Sequence, residues 1–294
     1  MSKVAWIGLG VMGYPSAGHI QKSGNHDVTV FNRTTEKAEA WVGEHGGSFA
    51  PTPAEAAKGA DFVFTCVGND DDLRQVALGP KGLFSTLKPG AVFVDHTTAS
   101  ATIARDLHKA AKERGASALD APVSGGQSGA ENGTLTVMVG GDETDFAKAK
   151  PVIEAYARAV NLIGPSGSGQ LTKMVNQICI AGLIQGLAEG IHFGMCAGLD
   201  LDKVFATISK GAAQSWQMDN RWHTMIEREF DGGFAVDWLR KDYDICMEEA
   251  RRNGASLPVT ALVDQFYADI QAMGGNHWDA SSLIIRLKRR PNKP

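Results

Sequence analysis

The chain has 294 residues, of which 43% are hydrophobic and 21% are charged, a composition typical of a globular protein with room for two hydrophobic cores. Its formal net charge of -4 gives neither nucleic acid nor an anionic membrane an electrostatic reason to bind, and we expect neither as a partner. Four scattered cysteines without a Cys-x-x-Cys pair, and an N-terminal apolar run too short for a secretion signal, predict a cytoplasmic protein with reduced thiols.

Short apolar runs alternate with helical patterns in the first half of the chain. The runs have the length and continuity of strands covered on both faces of a parallel sheet, and they occupy residues 4–9, 27–31, 61–67, 91–95, 117–123, 134–141 and 159–163. Helices are predicted at residues 11–23, 35–45, 53–58, 100–114 and 143–157. Because parallel neighbours need a crossover connection, this alternation predicts an α/β domain with a doubly wound, mostly parallel sheet.

The pattern changes after the Gly/Ser-rich segment 164–169. One unusually long helical pattern runs from residue 170 to about 197, and no convincing strand follows it. Further helices are predicted at residues 202–210, 239–253, 259–273 and 280–287. We therefore expect a nucleotide-binding domain over residues 1–165 and an all-α domain over residues 166–294 that begins with a long inter-domain helix and serves substrate binding and oligomerisation.

The apolar faces of the helical half predict contacts between subunits. One small helical domain hardly covers a long apolar helix together with the apolar faces that follow it. We expect a homodimer or a homotetramer, and a sedimentation experiment showing only a 31 kDa species would contradict this expectation.

A glycine-rich turn follows the first predicted strand and opens the first predicted helix. Its residues are Gly8, Leu9, Gly10, Val11, Met12 and Gly13. The spacing Gly-x-Gly-x-x-Gly is a weak signal alone, but in this strand-turn-helix context it predicts a Rossmann-type dinucleotide site. Gly8 would make the tight turn, Gly10 would let a pyrophosphate approach the backbone, and Gly13 would let the helix pack on the sheet. The N-terminus of the helix would then face the phosphates.

The end of the second predicted strand indicates which dinucleotide is bound. NAD-binding proteins of this fold place Asp or Glu there to accept hydrogen bonds from the ribose. This chain has Asn32, Arg33 and Thr34 instead. Arg33 would attract a 2′-phosphate, with Asn32 and Thr34 as further hydrogen-bond partners, although a plain surface arginine is the simpler alternative. We expect NADP(H), with NADPH preferred over NADH.

Four segments together resemble the β-hydroxyacid dehydrogenase family, which includes 3-hydroxyisobutyrate dehydrogenase, tartronate semialdehyde reductase and the glyoxylate/succinic semialdehyde reductases. The resemblance covers residues 4–287 and is specific in order and spacing. The segments are the glycine turn, then Asp120-Ala121-Pro122-Val123-Ser124-Gly125-Gly126, then Gly167-x-Gly169-x-x-x-Lys173-x-x-Asn176-Gln177, then Lys241-Asp242.

The resemblance implies a role for each matching residue. Lys173 matches the catalytic lysine of the family, and Asn176 matches its catalytic and substrate-binding neighbour. The substrate, a small carboxylate-bearing molecule, would be held by Ser124, Gly125, Gly126, Gln177 and Asp242. Besides the glycine turn and residues 32–34, the cofactor would contact Val67, Gly68, Thr98 and Lys241.

The sequence departs from the family pattern at a few positions. Ser16 stands where relatives usually carry methionine, Gly68 replaces a frequent proline, and His96-Thr97-Thr98 replaces a more usual serine pair. These changes affect the shape expected of the nicotinamide pocket and leave the expected reaction unchanged.

Alcohol oxidation explains why a lysine is needed. It removes a hydride from carbon and a proton from oxygen, so the nicotinamide takes the hydride and a side chain carries the proton. Lys173 suits this task if burial or a nearby cation, such as Lys241, lowers its pKa toward neutrality. Lys173, Asn176 and Gln177 lie on one helix face. Composition alone favours a surface lysine, but the strongly apolar helix around this trio favours a functional site.

Simpler interpretations exist for the other polar features. Residues 124–126 could be a flexible turn, and Lys241-Asp242 could be an exposed ion pair on a helix. His96 is more typical of a packed or solvated histidine than of an acid or base. The run Asp70-Asp71-Asp72 predicts a helix start, and the eight histidines lack metal-ligand spacing, so no metal is expected.

The leading hypothesis is an NADP(H)-dependent oxidoreductase that interconverts a small β-hydroxy acid, similar to 3-hydroxyisobutyrate, and its semialdehyde. An NADPH-dependent reductase of glyoxylate or succinic semialdehyde is the alternative within the family. A 6-phosphogluconate dehydrogenase is disfavoured because the helical half is short and Asn176-Gln177 does not match the expected His-Asn pair. A non-catalytic NADP-binding module and an imine reductase are both disfavoured by the presence of Lys173.

Overall fold

The computed structural model describes residues 1–288, so residues 289–294, at the end of the second predicted domain, lie outside the described residues. The chain divides into two compact units, the first ending at Lys173 and the second beginning at Met174. Each unit has a hydrophobic core of its own.

The first unit is built on a nine-stranded sheet. Its strands are β1 (Ser2–Ile7), β2 (His26–Phe31), β3 (Ser48–Phe49), β4 (Phe62–Thr65), β5 (Val92–Asp95), β6 (Ser117–Asp120), β7 (Val123–Ser124), β8 (Leu135–Gly140) and β9 (Ala157–Gly164). The order β3-β2-β1-β4-β5-β6 is parallel throughout, as in the doubly wound dinucleotide-binding fold. Strand β8 is antiparallel to β6 and β7 and parallel to β9. The predicted fold class is confirmed.

Helices connect the strands of the first unit. They are α1 (Gly13–Lys22), α2 (Thr35–His45), α3 (Pro53–Ala57), α4 (Asp70–Leu78), α5 (Ala101–Lys112), α6 (Gly126–Glu131) and α7 (Glu143–Ile153), with a 3-10 turn at Leu83–Ser85. Side chains alternate across the sheet, so Val4 and Trp6 of β1 join the core on one face while Ala5 and Ile7 join the core on the other. Both faces are therefore apolar, which accounts for the nearly continuous hydrophobic runs in the sequence.

Helix α8 (Ser168–Ala197) is shared by the two units, and the rest of the second unit is helical. The other helices are α9 (Leu201–Ile208), α10 (Trp216–Glu227), α11 (Val236–Asn253) and α12 (Pro258–Ala272), followed by a 3-10 helix at Ala280–Arg286. Ile184, Leu239 and Tyr267, from three of these helices, meet in its core. Within the described part of this unit the only β-type pairing is one isolated bridge between Ala235 and Asp279.

Helix α8 is also long and apolar enough, by length and composition, to cross a membrane. In its most apolar window, with a mean hydropathy of 1.4, 39% of the residues are buried within the protein. One such helix is weak evidence for a membrane span, because the core helices of globular proteins meet the same criteria.

Some elements differ from those predicted. The predicted strand 117–123 is two strands, because Pro122 between them has no N–H group to donate to the sheet. Helices α6 and α10 were not predicted, since the first is rich in glycine and the second has no clear apolar period. The predicted helix 280–287 is a 3-10 helix, and its two buried serines are poor helix formers. The acidic run at residues 70–72 does begin a helix, as predicted.

Candidate active site

The glycine turn between β1 and α1 has the backbone that its spacing predicted. Gly8 has a φ of +98°, and a Cβ there would overlap the carbonyl oxygen of Cys66. A Cβ on Gly13 would overlap the carbonyl oxygen of Gly8 and lie 2.8 Å from Nε1 of Trp6. The backbone N–H of Gly8 donates to the carbonyl of Phe31 at 2.9 Å. Glycine is therefore required at both positions by the close packing of β1, α1 and the neighbouring strands.

The middle of the turn fits a phosphate group. Nothing lies within 4 Å of the position that a Cβ on Gly10 would take. Within residues 1–288, no acceptor satisfies the backbone N–H groups of Gly10, Val11 and Met12, and the first turn of α1 carries no acidic residue. Open backbone N–H groups at the positive end of a helix are suited to an anion such as the pyrophosphate of a dinucleotide.

Asn32 contributes to the shape of this turn. Its Oδ1 accepts a hydrogen bond from the backbone N–H of Leu9 at 2.9 Å, and its Nδ2 donates to the carbonyl of Thr34 at 2.9 Å. Arg33 next to it is largely exposed, with 87% of its side chain accessible, and its Nη1 lies 3.5 Å from Oδ1 of Asp72 in the first turn of α4. The guanidinium is therefore available to a phosphate, with one carboxylate as a competitor.

The loops after β4 and β5, which carry Val67, Gly68 and Thr98, are held by a buried carboxyl group. Oδ1 of Asp95 accepts hydrogen bonds from the Thr65 hydroxyl at 2.6 Å and from the Thr97 backbone N–H at 3.1 Å. The Thr97 hydroxyl in turn accepts from the backbone N–H of Val67 at 3.0 Å. Burial raises the pKa of Asp95 to about 7, although its hydrogen bonds with Thr65 and Thr97 oppose the rise. Val67, Gly68 and Thr98 are themselves half-buried at the carboxyl ends of these strands.

His96 is a packed histidine, as its simpler interpretation predicted. Its ring is buried and lies 2.5 Å from the Ala121 carbonyl through Nδ1 and 2.6 Å from the Tyr156 hydroxyl through Nε2. The carbonyl can only accept, so Nδ1 carries the proton and Nε2 accepts from the tyrosine. Burial lowers the pKa of His96 to about 4, against the effect of the Ala121 hydrogen bond. The ring is therefore neutral at pH 7 and fully engaged.

The loop at residues 124–126, which is predicted to bind the substrate carboxylate, joins a strand to a helix. Ser124 ends β7 and is half-buried, while Gly125 and Gly126 have φ values of +130° and +65° and begin α6. A Cβ on Gly125 would also lie 3.2 Å from the side chain of Leu135. Both glycines have positive φ, so this turn needs residues without a Cβ.

The start of α8 is fixed by two buried polar residues to which the sequence analysis gave no role. The Asp120 carboxylate, at the end of β6, accepts from the backbone N–H groups of Gly167 at 2.7 Å and Gln170 at 2.9 Å. Burial raises the pKa of Asp120, and these two N–H groups oppose the rise. Lys173 follows three residues after Gln170 and is 8% exposed. Asp120 is named in the segments that carry the family resemblance, which was a signal for it, whereas Gln170 occupies an unspecified position between Gly169 and Lys173.

Four predicted site residues form one network in the second unit. Nδ2 of Asn176 donates to Oε1 of Gln177 at 2.7 Å, and Nε2 of Gln177 donates to Oδ2 of Asp242 at 2.7 Å. Nζ of Lys241 lies 3.0 Å from Oδ1 of the same carboxylate. Asp242 is 2% exposed, so the pair with Lys241 is not the exposed ion pair of the simpler interpretation. Residues 65 positions apart in sequence are thus brought together.

Ser16, which departs from the family pattern, is buried in α1. Its hydroxyl donates to the carbonyl of Met12 at 2.8 Å. The polar side chain is therefore satisfied within its own helix. It places a hydroxyl where the family resemblance leads us to expect a methionine side chain.

Two family models cover nearly all of the chain. The model described as the NAD binding domain of 6-phosphogluconate dehydrogenase matches residues 3–164. The model described as NAD-binding of NADP-dependent 3-hydroxyisobutyrate dehydrogenase matches residues 167–287.

Similar proteins of full length are known. An uncharacterized oxidoreductase of Shewanella frigidimarina is 63% identical over 98% of this chain and 99% of its own. A probable mitochondrial 3-hydroxyisobutyrate dehydrogenase-like protein of Arabidopsis thaliana is 42% identical over 99% of this chain and 86% of its own. Among solved structures, the 3-hydroxyisobutyrate dehydrogenase of Mycobacterium tuberculosis with L-serine superposes with a TM-score of 0.88, at 29% identity, over 98% of this chain and 100% of its own.

Three observations indicate the same family. They are the glycine turn, the helical second unit and the matches to known proteins. The glycine turn has room for the pyrophosphate of a dinucleotide, and the matching segments extend through both units. The chain belongs to the β-hydroxyacid dehydrogenase family, whose members are NAD(P)-dependent oxidoreductases acting on the CH–OH group of hydroxy acids.

Proposed function

We propose that this protein interconverts a small β-hydroxy acid and its semialdehyde with NADP(H), and that Lys173 is the general acid/base. The observation that carries the proposal is the position of Lys173. It is a buried lysine, 8% exposed, one turn beyond the residue that fixes α8 to the carboxyl ends of β5 and β6. In open α/β sheets, ligands bind at the carboxyl ends of the strands. A buried lysine at that end of the sheet is suited to proton transfer.

The reaction divides between cofactor and protein. A bound nicotinamide supplies the acceptor for the hydride in oxidation and the donor in reduction. The Lys173 amine takes the hydroxyl proton as the carbonyl forms, and in reduction the ammonium returns a proton to the carbonyl oxygen. Asn176 has one amide hydrogen bond to Gln177, which leaves its carbonyl oxygen and its second N–H to orient the substrate oxygen.

The substrate carboxylate has a separate set of partners in this proposal. The Ser124 hydroxyl and the backbone N–H groups of Gly125 and Gly126 hold it. Gln177 and Asp242 orient the polar groups around the substrate. Lys241, fixed by Asp242 at 3.0 Å, lies against the nicotinamide.

The chemistry of the relatives' compounds defines a substrate class. The similar structure named above is a 3-hydroxyisobutyrate dehydrogenase with L-serine, and both compounds are 3-hydroxypropanoates with one substituent at carbon 2. They share a primary alcohol and a carboxylate two carbons away. We propose this class of substrate. Side chains of the second unit would then determine how large the substituent at carbon 2 can be. The arginine at the end of β2 also suits an NADPH-driven reductase of glyoxylate or succinic semialdehyde, which is the alternative.

The cofactor proposal is NADP(H) with NADPH preferred over NADH. Its support is the absence of a carboxylate at residues 32–34 and the exposed guanidinium of Arg33. We also propose a homodimer or homotetramer in the cytoplasm, without nucleic acid or membrane partners. The exposed apolar side chains of Val175, Leu183 and Phe193 on α8 support the assembly.

Replacing Lys173 tests the catalytic assignment. Lys173→Met keeps an unbranched side chain that is one atom shorter and removes the amine, so we expect kcat to fall by about 10²–10⁴-fold, the range for loss of a general acid/base. NADPH binding, measured by its fluorescence, should change by less than about threefold, because Lys173 contributes a proton and not cofactor affinity. Lys203→Met, which removes an exposed lysine from α9, is the control. Turnover near that of the unaltered protein would remove Lys173 from the mechanism.

A further inference from the structure

The side chain of Gln170 forms hydrogen bonds with the backbone on both sides of Thr98. Its side chain is buried, 1% exposed, in the first turn of α8. Nε2 donates to the carbonyl of Thr97 at 2.7 Å, and Oε1 accepts from the backbone N–H of Ala99 at 3.1 Å. One amide group therefore spans Thr98, a residue that the family resemblance implies contacts the cofactor, in the segment expected to shape the nicotinamide pocket.

The loop held by Gln170 is tied to its neighbours. Thr97 is bonded through its N–H to Asp95 and through its hydroxyl to the N–H of Val67. The loops after β4 and β5 thus form one polar unit, and Gln170 attaches that unit to α8. These contacts all lie within the first unit.

Capping of the helix does not require this glutamine. Asp120 already accepts hydrogen bonds from the N–H groups of Gly167 and Gln170, which satisfies the start of α8. The side chain of Gln170 adds a second connection to a different strand end. Its two hydrogen bonds to the backbone around Thr98 are made outside α8 and do not contribute to capping of the helix.

Helical geometry links this contact to Lys173. Residues three apart lie on the same face of a helix, with a rise of about 4.5 Å along the axis. Gln170 and Lys173 are such a pair, and both are buried. A shift of the first turn of α8 relative to the loop at Thr98 would move the amine relative to the nicotinamide by a similar distance.

We infer that Gln170 is a positioning residue, which sets the distance between Lys173 and the nicotinamide by fixing α8 to the loop that carries Thr98. The inference rests on the proposed roles of Lys173 and Thr98. Proton and hydride must leave the substrate in one geometry, and a displacement of about 1 Å can reduce the rate about a hundredfold. The glutamine contacts neither substrate nor cofactor in this account.

The test replaces Gln170 by leucine, which removes both hydrogen bonds and approximately keeps the volume. We expect kcat per NADPH-titrated site to fall at least about tenfold, with the dissociation constant of NADPH changed by less than about threefold. The primary isotope effect with 4-deuterated NADPH should increase, and the inflection in the pH profile of kcat should move. The control is Gln185→Leu, the same substitution at a buried position, 8% exposed, further along the same helix.

A second variant covers the case in which Gln170→Leu fails to fold. Gln170→Glu has the same shape, keeps the acceptor for the Ala99 N–H and, when its carboxyl group is protonated, donates to the Thr97 carbonyl. Charged groups near it are Asp120, Asp95 beyond Thr97, and Lys173 on the same face. Burial and the two neighbouring carboxyl groups favour the protonated form of the introduced side chain over the effect of the lysine. The kcat of this variant relative to the unaltered protein should therefore rise as the pH is lowered.

The outcomes distinguish this inference from the proposed function. If Lys173→Met retains turnover in the same assays, the proposed function fails. If Lys173→Met is inactive while the Gln170 variants keep kcat within about twofold, with unchanged isotope effect and pH profile, only the positioning role fails. Loss of kcat without loss of NADPH binding supports the role.

Discussion

Arg33 and Asp72 form the contact on which the choice of cofactor depends. The ion pair is 3.5 Å long, and 87% of the arginine side chain and 33% of the aspartate side chain are exposed. Exposed pairs of this kind contribute little to stability, typically about 0–1 kcal/mol. A 2′-phosphate with nearly two negative charges would replace Asp72 as the partner of Arg33.

Two substitutions test this competition. Asp72→Asn removes the competing carboxylate, so we expect tighter NADPH binding, by a factor of about two to five, and little change for NADH. Arg33→Asp should weaken NADPH binding more than NADH binding, because the new carboxylate repels the 2′-phosphate. Fluorescence titration with both cofactors measures each effect.

The control for this pair is Asp71→Asn, which removes the neighbouring acid from the same first turn of α4. It separates the local contact with Arg33 from the general effect of one negative charge fewer. Equal changes for NADPH and NADH in the Arg33 variant would contradict the role of Arg33 in selecting the phosphate.

Individual site residues were predictable to different degrees. The roles of Gly8 and Gly13 could be predicted on physical grounds, because the motif reflects their backbone and packing requirements. Lys173 could not be distinguished from a surface lysine by composition, and the apolar helix around it and the family pattern were the two signals that favoured a functional role. Gln170 and Asp120 were not assigned roles, because their importance comes from contacts between segments 50 to 73 residues apart.

At the scale of elements, the carboxyl ends of β4, β5 and β6 concentrate buried polar groups. Asp95 has one oxygen bonded to Thr65 and Thr97, while Oδ2 has no hydrogen-bond partner within the described residues. Burial raises its pKa from 3.8 to about 7. The folded protein therefore holds a proton at Asp95 between these pH values that the unfolded chain has released.

This difference predicts a pH dependence with a definite sign. Because the folded pKa is raised, the stabilising contribution of protonated Asp95 is present below about pH 4 and is lost as the pH rises to about 7. Asp95→Asn cannot titrate, so its free energy of unfolding relative to the unaltered protein should increase over this range, by on the order of 4 kcal/mol. Urea unfolding at several pH values measures the difference.

The comparison with the unaltered protein removes the effect of other groups. His96 acts in the opposite direction, since its lowered pKa removes stability as the pH falls from 6.5 toward 4. It is present in both proteins and cancels. Asp106→Asn, at an exposed position on α5, controls for the loss of one carboxyl group. A difference that stays constant from about pH 4 to pH 7 would contradict a raised pKa at Asp95.

The bounds of the strands agree best with the prediction where burial is uniform along the strand. Strands β1, β2 and β5 lie within two residues of the predicted runs at both ends. Both faces of β1 and β5 are apolar, and β2 buries Val28 and Val30 in one core. Helix α6 was missed because its glycines contribute no helical signal, and β3 because it has only two residues. Local propensity is weak in such segments, and tertiary contacts determine their structure.

For the whole molecule, the fold could be predicted from the sequence, whereas the substrate specificity could not. Alternation of strands and helices was sufficient to predict a doubly wound domain followed by a helical one. We propose that side chains from helices of the second unit determine which substituent the substrate can carry at carbon 2. Their positions follow from packing around residues such as Trp222 and Tyr243, which no motif describes.

Steady-state kinetics with a substrate panel tests whether the protein acts on 2-substituted 3-hydroxypropanoates with NADP(H). The panel contains 3-hydroxyisobutyrate, L-serine, isobutanol as the match without a carboxylate, glyoxylate and succinic semialdehyde, each with the NADP and the NAD cofactor. We predict the highest kcat/KM for a 2-substituted 3-hydroxypropanoate with NADP⁺, and at least about a hundredfold less for isobutanol, since its loss of the carboxylate leaves Ser124 and its loop unpaired. Turnover confined to glyoxylate or succinic semialdehyde, or isobutanol oxidised as well as the hydroxy acids, would contradict it.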